Sequence, residues 1–474
     1  MAGAAATASL ACAALLLAPL MLAIFVPLLA LLAVATLTGI GPLAHYVCSR
    51  SDKKLLATVV EPAPGAPVRL VPVGSGGHRL AVRWSPGAAP GGAAARPHPV
   101  CIPNGLGATL ITISKLHEAL EAMGFAVLSF DRAGVGLSDA RSPPPGAARS
   151  HAGAAEVVSE MKEVMELCAP GARWLLVGPS MGNIVAQCYI AAHPSDVAGL
   201  LNVDGFPFPF AAKRRMFELS GRVYAFSSAL SRTGALRPML RAAAGQLAGL
   251  GSAAFSPEVV RAEMNRARFF GSLAAEMLTM MDLADAARAA WGPSFDLVTA
   301  PPAALAALAN AAPARCGDAA PPAGGGGGAW EWSEQPRSVA EPGGAAAEWT
   351  PEREARAAAL DPMLAAAAAA AKAAPGAPPP PLPAAWRRLA VRALSARGYA
   401  RMGPVGEAFY GKQMQTWAAA EHTMLCMLAA RGARAVFPNR HHGEMVIGIE
   451  PFVASEVAAL EEDVAAVGAR AATP

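Results

Sequence analysis

The sequence predicts an α/β fold with a mostly parallel sheet, and three observations carry that expectation. Short apolar runs of strand length alternate with amphipathic helical patterns between residues 99 and 204. Two alternating runs ahead of them read as a hairpin. The low-complexity stretches lie away from this region. Strands separated by single helices imply right-handed crossovers, and hence parallel neighbours.

The elements follow in order. Residues 68–84, VRLVPVGSGGHRLAVRW, place two alternating runs around Gly-Ser-Gly-Gly, so an antiparallel hairpin is expected at the sheet edge. PVCIPN (99–104) is a buried-strand pattern ahead of the helical LITISKLHEALEAM (110–123). AVLSFD (126–131) leads, after a loop, to the helical AAEVVSEMKEVMELC (154–168). WLLVGP (174–179) runs into the helical NIVAQCYIAAHP (183–194), and VAGLLNVD (197–204) closes the series. Near the C-terminus RAVFPN (434–439) reads as the last strand.

The remainder of the 474 residues is less like folding material. Hydrophobic residues make up 54% and charged residues 16%, with 46 Gly and 42 Pro. The net charge of +4 gives no basic surface, so no nucleic-acid partner is expected. The seven cysteines form no C-x-x-C pair and are odd in number, which disfavours a disulfide scaffold or a zinc ribbon. Residues 2–48 carry no Asp, Glu, Lys or Arg, and 10–40 are almost continuously apolar, longer than the ~20 residues a helix needs to cross a bilayer. The first charges beyond it are Arg50, Lys53 and Lys54. The expectation is an uncleaved N-terminal transmembrane helix with the bulk of the chain on the cytosolic side; a signal or transit peptide is the alternative. From about 301 to 400, runs of Gly (324–328), Ala (365–371) and Pro (378–381) predict a mostly disordered insertion.

Gly178-Pro179-Ser180-Met181-Gly182 fits G-x-S-x-G between a buried strand and a helix. The glycines leave room for a sharp turn that lifts the Ser180 hydroxyl above the sheet at a helix N-terminus, where free N–H groups favour a developing oxyanion. Ser180 is therefore the candidate nucleophile, and the Met181 N–H a candidate oxyanion donor. The plain alternative is a strand–helix turn capped by Ser180.

With this elbow the sequence resembles the α/β-hydrolase superfamily, over about 68–300 and 405–470. Three further motifs carry the resemblance: Asn104-Gly105-Leu106-Gly107 after the strand that in the family ends in His-Gly, Asp131-Arg132-Ala133-Gly134-Val135-Gly136-Leu137-Ser138 after the next strand, and HHGEMVIGIEP (441–451) as a catalytic His loop before a final helix. Asn104 departs from the usual His. The resemblance implies a second oxyanion donor at the Leu106 N–H and a helical lid over the site. Asp131 and Arg132 are expected to hold their loop through hydrogen bonds and to take no part in the chemistry.

A serine nucleophile needs an imidazole in reach. Of nine histidines, His441 and His442 follow the last strand; His442 is preferred because Gly443 follows it, and His441 stays open. The acid that orients the imidazole belongs at a strand's C-terminal edge. Asp204 ends GLLNVD before Gly205, at a position some family members use; Asp296, inside SFDLVTA (294–300), is the alternative.

The expected organisation is a hydrophobic anchor (1–49), a first core part (68–204), a helical lid (205–293), a core strand (294–300), the insertion (301–400) and a last core part (401–474). The expected function is a membrane-anchored serine esterase with the triad Ser180, His442 and Asp204, acting on a small-molecule or lipid ester without metal or cofactor. Acyl transfer to an alcohol, or a non-catalytic binding protein on the same fold, are the alternatives.

Overall fold

The computed structural model describes residues 40–63, 65–74, 77–87, 96–141, 152–206, 214–232, 251–266, 268–291, 316–317, 337–340, 389–396, 431–437, 445 and 449–471. Strands β1 (Arg69–Val73) and β2 (His78–Ser85) form the expected hairpin, with Val73 opposite His78. The series β3 (Val100–Pro103), β4 (Val127–Phe130), β5 (Trp174–Pro179) and β6 (Val197–Val203) follows the apolar runs of the sequence. Strands β7 (Cys316–Gly317), β8 (Arg337–Ala340), β9 (Ala390–Ala396) and β10 (Arg431–Phe437) complete a ten-stranded sheet.

Its order is β1-β2-β4-β3-β5-β6-β9-β10-β8-β7. The six strands from β4 to β10 in that order pair in parallel, whereas β1 on β2, β2 on β4, β8 on β10 and β7 on β8 are antiparallel. Helices α1 (Ile40–Ala57), α2 (Ser114–Ala122), α3 (Ala154–Cys168), α4 (Met181–Ala192), α5 (Arg214–Arg232), α6 (Pro257–Met264), α7 (Arg268–Trp291) and α8 (Glu450–Ala471) connect or flank the strands.

The strands are buried on both faces because their side chains alternate between two cores. Cys101, Leu128, Leu176, Leu200 and Val391 face one core with Val164 of α3, Val185 of α4 and Met280 of α7. Val100, Ile102, Val127, Val177, Val203 and Leu394 face the other, with Leu116 of α2 and Val457 of α8. The result is a helix–sheet–helix sandwich with the C-terminal ends of β3, β5 and β6 side by side.

Among the described residues, the chain differs from the sequence reading within the 301–400 stretch. Residues 390–396, assigned there to the insertion, form β9, hydrogen-bonded between β6 and β10. The core strand expected at 294–300 lies outside the described residues. The pattern was hidden by Arg392, a charge in the middle of LAVRAL. Its guanidinium pairs with Glu456 and Asp463 of α8, each at 2.8 Å, so the charge enters the fold matched. Short strands β7 and β8 also come from the 301–400 stretch. The anchor segment 10–40 lies outside the described residues apart from Ile40. Among the described residues, no helix is long and apolar enough to cross a membrane.

Candidate active site

The G-x-S-x-G turn is tight for a steric reason. A Cβ on Gly182 would lie 1.9 Å from the Pro103 carbonyl oxygen, and one on Gly178 would lie 2.6 Å from Asn183 Cα. Only glycine lets α4 approach β3 and β5 this closely. Between them Ser180 adopts φ 52° and ψ −122° as the residue that caps α4. Ser180 is nearly buried, at 9% exposure, and Met181 is fully buried.

Asp204 stands next to it. Among the described residues, Ser180 (φ 52°) and Asp204 (φ 44°) are the two non-glycine residues with positive φ. Such conformations cost of order 1–3 kcal/mol each and persist only where the surroundings impose them. Two backbone hydrogen bonds tie the two residues' segments together: the Ser180 N–H donates to the Val203 carbonyl and the Phe206 N–H to the Ser180 carbonyl, both at 3.1 Å. The Asp204 N–H donates to the Leu394 carbonyl of β9 at 2.8 Å, and Asp204 is 2% exposed. The ends of β5, β6 and β9 thus converge on one spot.

The Asn104–Gly107 loop closes a third side. A Cβ on Gly105 would sit 3.4 Å from Ser180 Cβ, so this loop lies directly against the elbow. Asn104 is buried and donates through Nδ2 to the Phe130 carbonyl at 2.9 Å. Where a His is usual, this side chain stitches β3 to β4.

The next motif does the structural work expected of it. The Asp131 carboxylate accepts the N–H groups of Leu110 (2.7 Å) and Leu137 (2.8 Å), and the Ser138 hydroxyl donates to the Asp131 carbonyl at 2.6 Å. Burial pushes the Asp131 carboxyl up to about 6, against the pull of those N–H donors and of Arg268 and Arg132. Arg132 donates to the carbonyls of Asn104 and Gly105 and pairs with Glu276 of α7. Sequence reasoning did not find Glu276, because nothing local marks a helix glutamate whose partner is 144 residues away in the chain.

His441, His442 and Asp296 lie outside the described residues. Met445, three residues past His442, is buried in the same core as Val203 and Leu394. Between β9 and β10 the sequence offers only Glu407 and Glu421 as carboxylates. His117, set aside by the sequence reading, is a satisfied core residue: its ring lies 3.0 Å from both Ser85 and Ser129 hydroxyls, and burial followed by the Arg83 charge holds it well below the usual imidazole range. Among the described residues, no group of three His, Cys, Asp or Glu side chains could hold a metal ion.

Residues 96–203 match the model of the serine aminopeptidase (S33) family of hydrolases. That stretch spans β3 to β6 and contains the elbow, the Asn104–Gly107 loop and the Asp131–Ser138 turn. Over this stretch the chain is similar to the α/β-hydrolase superfamily. Among solved structures, this chain is similar to the thioesterase domain from the curacin biosynthetic pathway (20% identity, 30% of this chain and 47% of that one, TM-score 0.24). It is also similar to alpha/beta hydrolase domain-containing protein 10 from mouse (20% identity, 31% and 54%, TM-score 0.24). A thermophilic esterase from Thermogutta terrifontis aligns over 83% of this chain and 97% of its own, at 13% identity and TM-score 0.41. The matched part of the chain spans 47% and 54% of the first two, about half their lengths. No curated protein matches it.

Proposed function

We propose that this protein is a serine esterase that cleaves a carboxylic, lipophilic ester through an acyl-Ser180 intermediate. The observation that carries the reading is the pairing, at adjoining strand ends, of the two strained non-glycine residues Ser180 and Asp204. A nucleophile and the acid of its triad are groups whose placement repays strain of this size.

In this reading His442 takes the Ser180 proton as Oγ attacks the ester carbonyl. The tetrahedral oxyanion accepts the N–H groups of Met181 and Leu106, each worth about 3–4 kcal/mol to the transition state. The imidazolium, held by Asp204, then protonates the leaving alkoxide. In the second half water gives its proton to His442, attacks the acyl-serine, and releases the carboxylic acid while Ser180 recovers its proton. The helices within 205–293 serve as the lid. Support for a lipophilic substrate comes from α5, which exposes Leu219 (63%), Val223 (55%) and Phe226 (63%) on one face, with Arg215 and Arg222 exposed beside them. The segment 10–40 anchors the enzyme to a membrane with this domain on the cytosolic side.

The test is labelling by a fluorophosphonate probe. Wild type is expected to be labelled and Ser180→Ala not. Equal labelling of both, or of neither, refutes the serine esterase. Release of the intact chain by alkaline carbonate refutes the anchor alone.

A further inference from the structure

We infer that Arg132 and Glu276 are positioning residues that set the second oxyanion donor, and that Glu276 makes that donor depend on the seating of α7. The inference deepens the serine-esterase reading and rests on it for the role of the Leu106 N–H.

The Gly105 carbonyl and the Leu106 N–H belong to one planar trans peptide and point in opposite directions. Arg132 Nη2 donates to that carbonyl at 2.9 Å, and Nη1 donates to the carbonyl of Asn104 one residue before. A guanidinium fixed on the oxygen holds the peptide plane, so the N–H is aimed without help from the substrate. It also draws electron density from the amide, which makes its N–H a stronger donor to an oxyanion. The loop lies against the nucleophile, as the 3.4 Å approach of a Gly105 Cβ to Ser180 Cβ shows.

Arg132 cannot hold this position alone. It is 5% exposed, and a guanidinium so buried needs a counter-charge. Glu276 supplies it: Oε1 accepts Arg132 Nε at 2.7 Å and also Nη2, while Oε2 accepts the Gly107 N–H at 2.7 Å. The two oxygens therefore grip the loop from both ends, one through Arg132 and one directly. Glu276 is itself 4% exposed and sits on α7, which packs on the helix of the elbow through Leu283 and Cys188. Moving α7 away would release the Gly107 N–H and leave Arg132 unpaired, so the oxyanion loop is set only when this helix is seated.

The test uses the full chain, a p-nitrophenyl ester and amide hydrogen exchange. Replacing the pair together, Arg132→Met with Glu276→Met, leaves no unpaired buried charge, so the fold is expected to survive. The expected result is a 10- to 100-fold fall in kcat with KM changed less than threefold, at least tenfold faster exchange in the peptide 104–110, and unchanged exchange in 174–192. Restoring Glu276 with Arg132→Lys, which can still reach one carbonyl, should recover part of kcat. An unchanged kcat, or a loss shared with faster exchange in 174–192, overturns the inference. If the double variant does not fold, Glu276→Gln decides: it keeps an acceptor for Gly107 but removes the charge, and unchanged exchange in 104–110 overturns the clamp. A wild-type chain that fluorophosphonate does not label refutes the esterase, while the exchange arm still decides the clamp.

Discussion

The elbow and the β9–α8 contact lie on the same sheet, yet they are held by opposite means. Around Ser180 and Asp204 the backbone is unusual, with two non-glycine residues at positive φ. Close steric walls such as Pro103 keep it so. Around Arg392 the backbone is regular and the charges are unusual: one guanidinium lies between Glu456 and Asp463, the latter only 4% exposed at its side chain. Strained backbone aims particular atoms and gains nothing for stability. The Arg392 charge, matched between two acids, fastens β9 to α8 and aims nothing. The two regions should therefore respond to mutation in opposite currencies, one in rate and the other in stability.

The largest expected effect is at Asp204. Asp204→Asn preserves the shape and the tolerance for positive φ, so Tm should stay within about 2 °C, while ester hydrolysis falls by about 10³–10⁴-fold through loss of the imidazole's orienter. A variant retaining most of its kcat would move the acid elsewhere, to Asp296 or Glu407. At the other pole, Arg392→Met should leave kcat per folded molecule unchanged and cost about 3 kcal/mol in denaturant unfolding, because Asp463 and Glu456 lose their cation. A loss of kcat at unchanged stability would erase the contrast.

The smallest effect sharpens the comparison through pH. Glu263 is fully buried next to Asp131, and burial, then that neighbour, push its carboxyl up to about 7. A raised carboxyl contributes stability that is fully present below about pH 4.5 and is lost as pH rises through 7. Asp131, raised to about 6, acts in the same direction. Glu263→Gln should thus gain about 1–3 kcal/mol over wild type at pH 8 and nothing at pH 4.5, read as Tm against pH. An advantage that is the same at both values would show that charge at this site is not what limits stability.

How much was legible follows from where each signal resides. The hairpin, β3 to β6 and their helices were readable because two-residue and helical periodicities are local, and each run is bounded by Gly, Pro or a polar turn. Ser180 was legible as the centre of G-x-S-x-G and Asp204 as a strand-end residue next to Gly205, and their strained φ values supply a mark that no pattern of letters carries. Strand β9 was missed because Arg392 breaks the apolar run, and its compensating acids come 64 and 71 residues later. Glu276 was missed for the same reason: as a letter it is one more helix glutamate, and only its distance to Arg132 distinguishes it.

The amino-acid order alone therefore determined the alternation of strands and helices, the glycines that permit a sharp turn, and the hydroxyl placed in it, because steric and periodic constraints act over a few residues. Tertiary packing decided which strand lies beside β6, which carboxylate neutralises Arg132, and which two strand ends meet. Those choices depend on matching buried charge and shape between segments far apart in the chain, and such matches exist only once the segments touch.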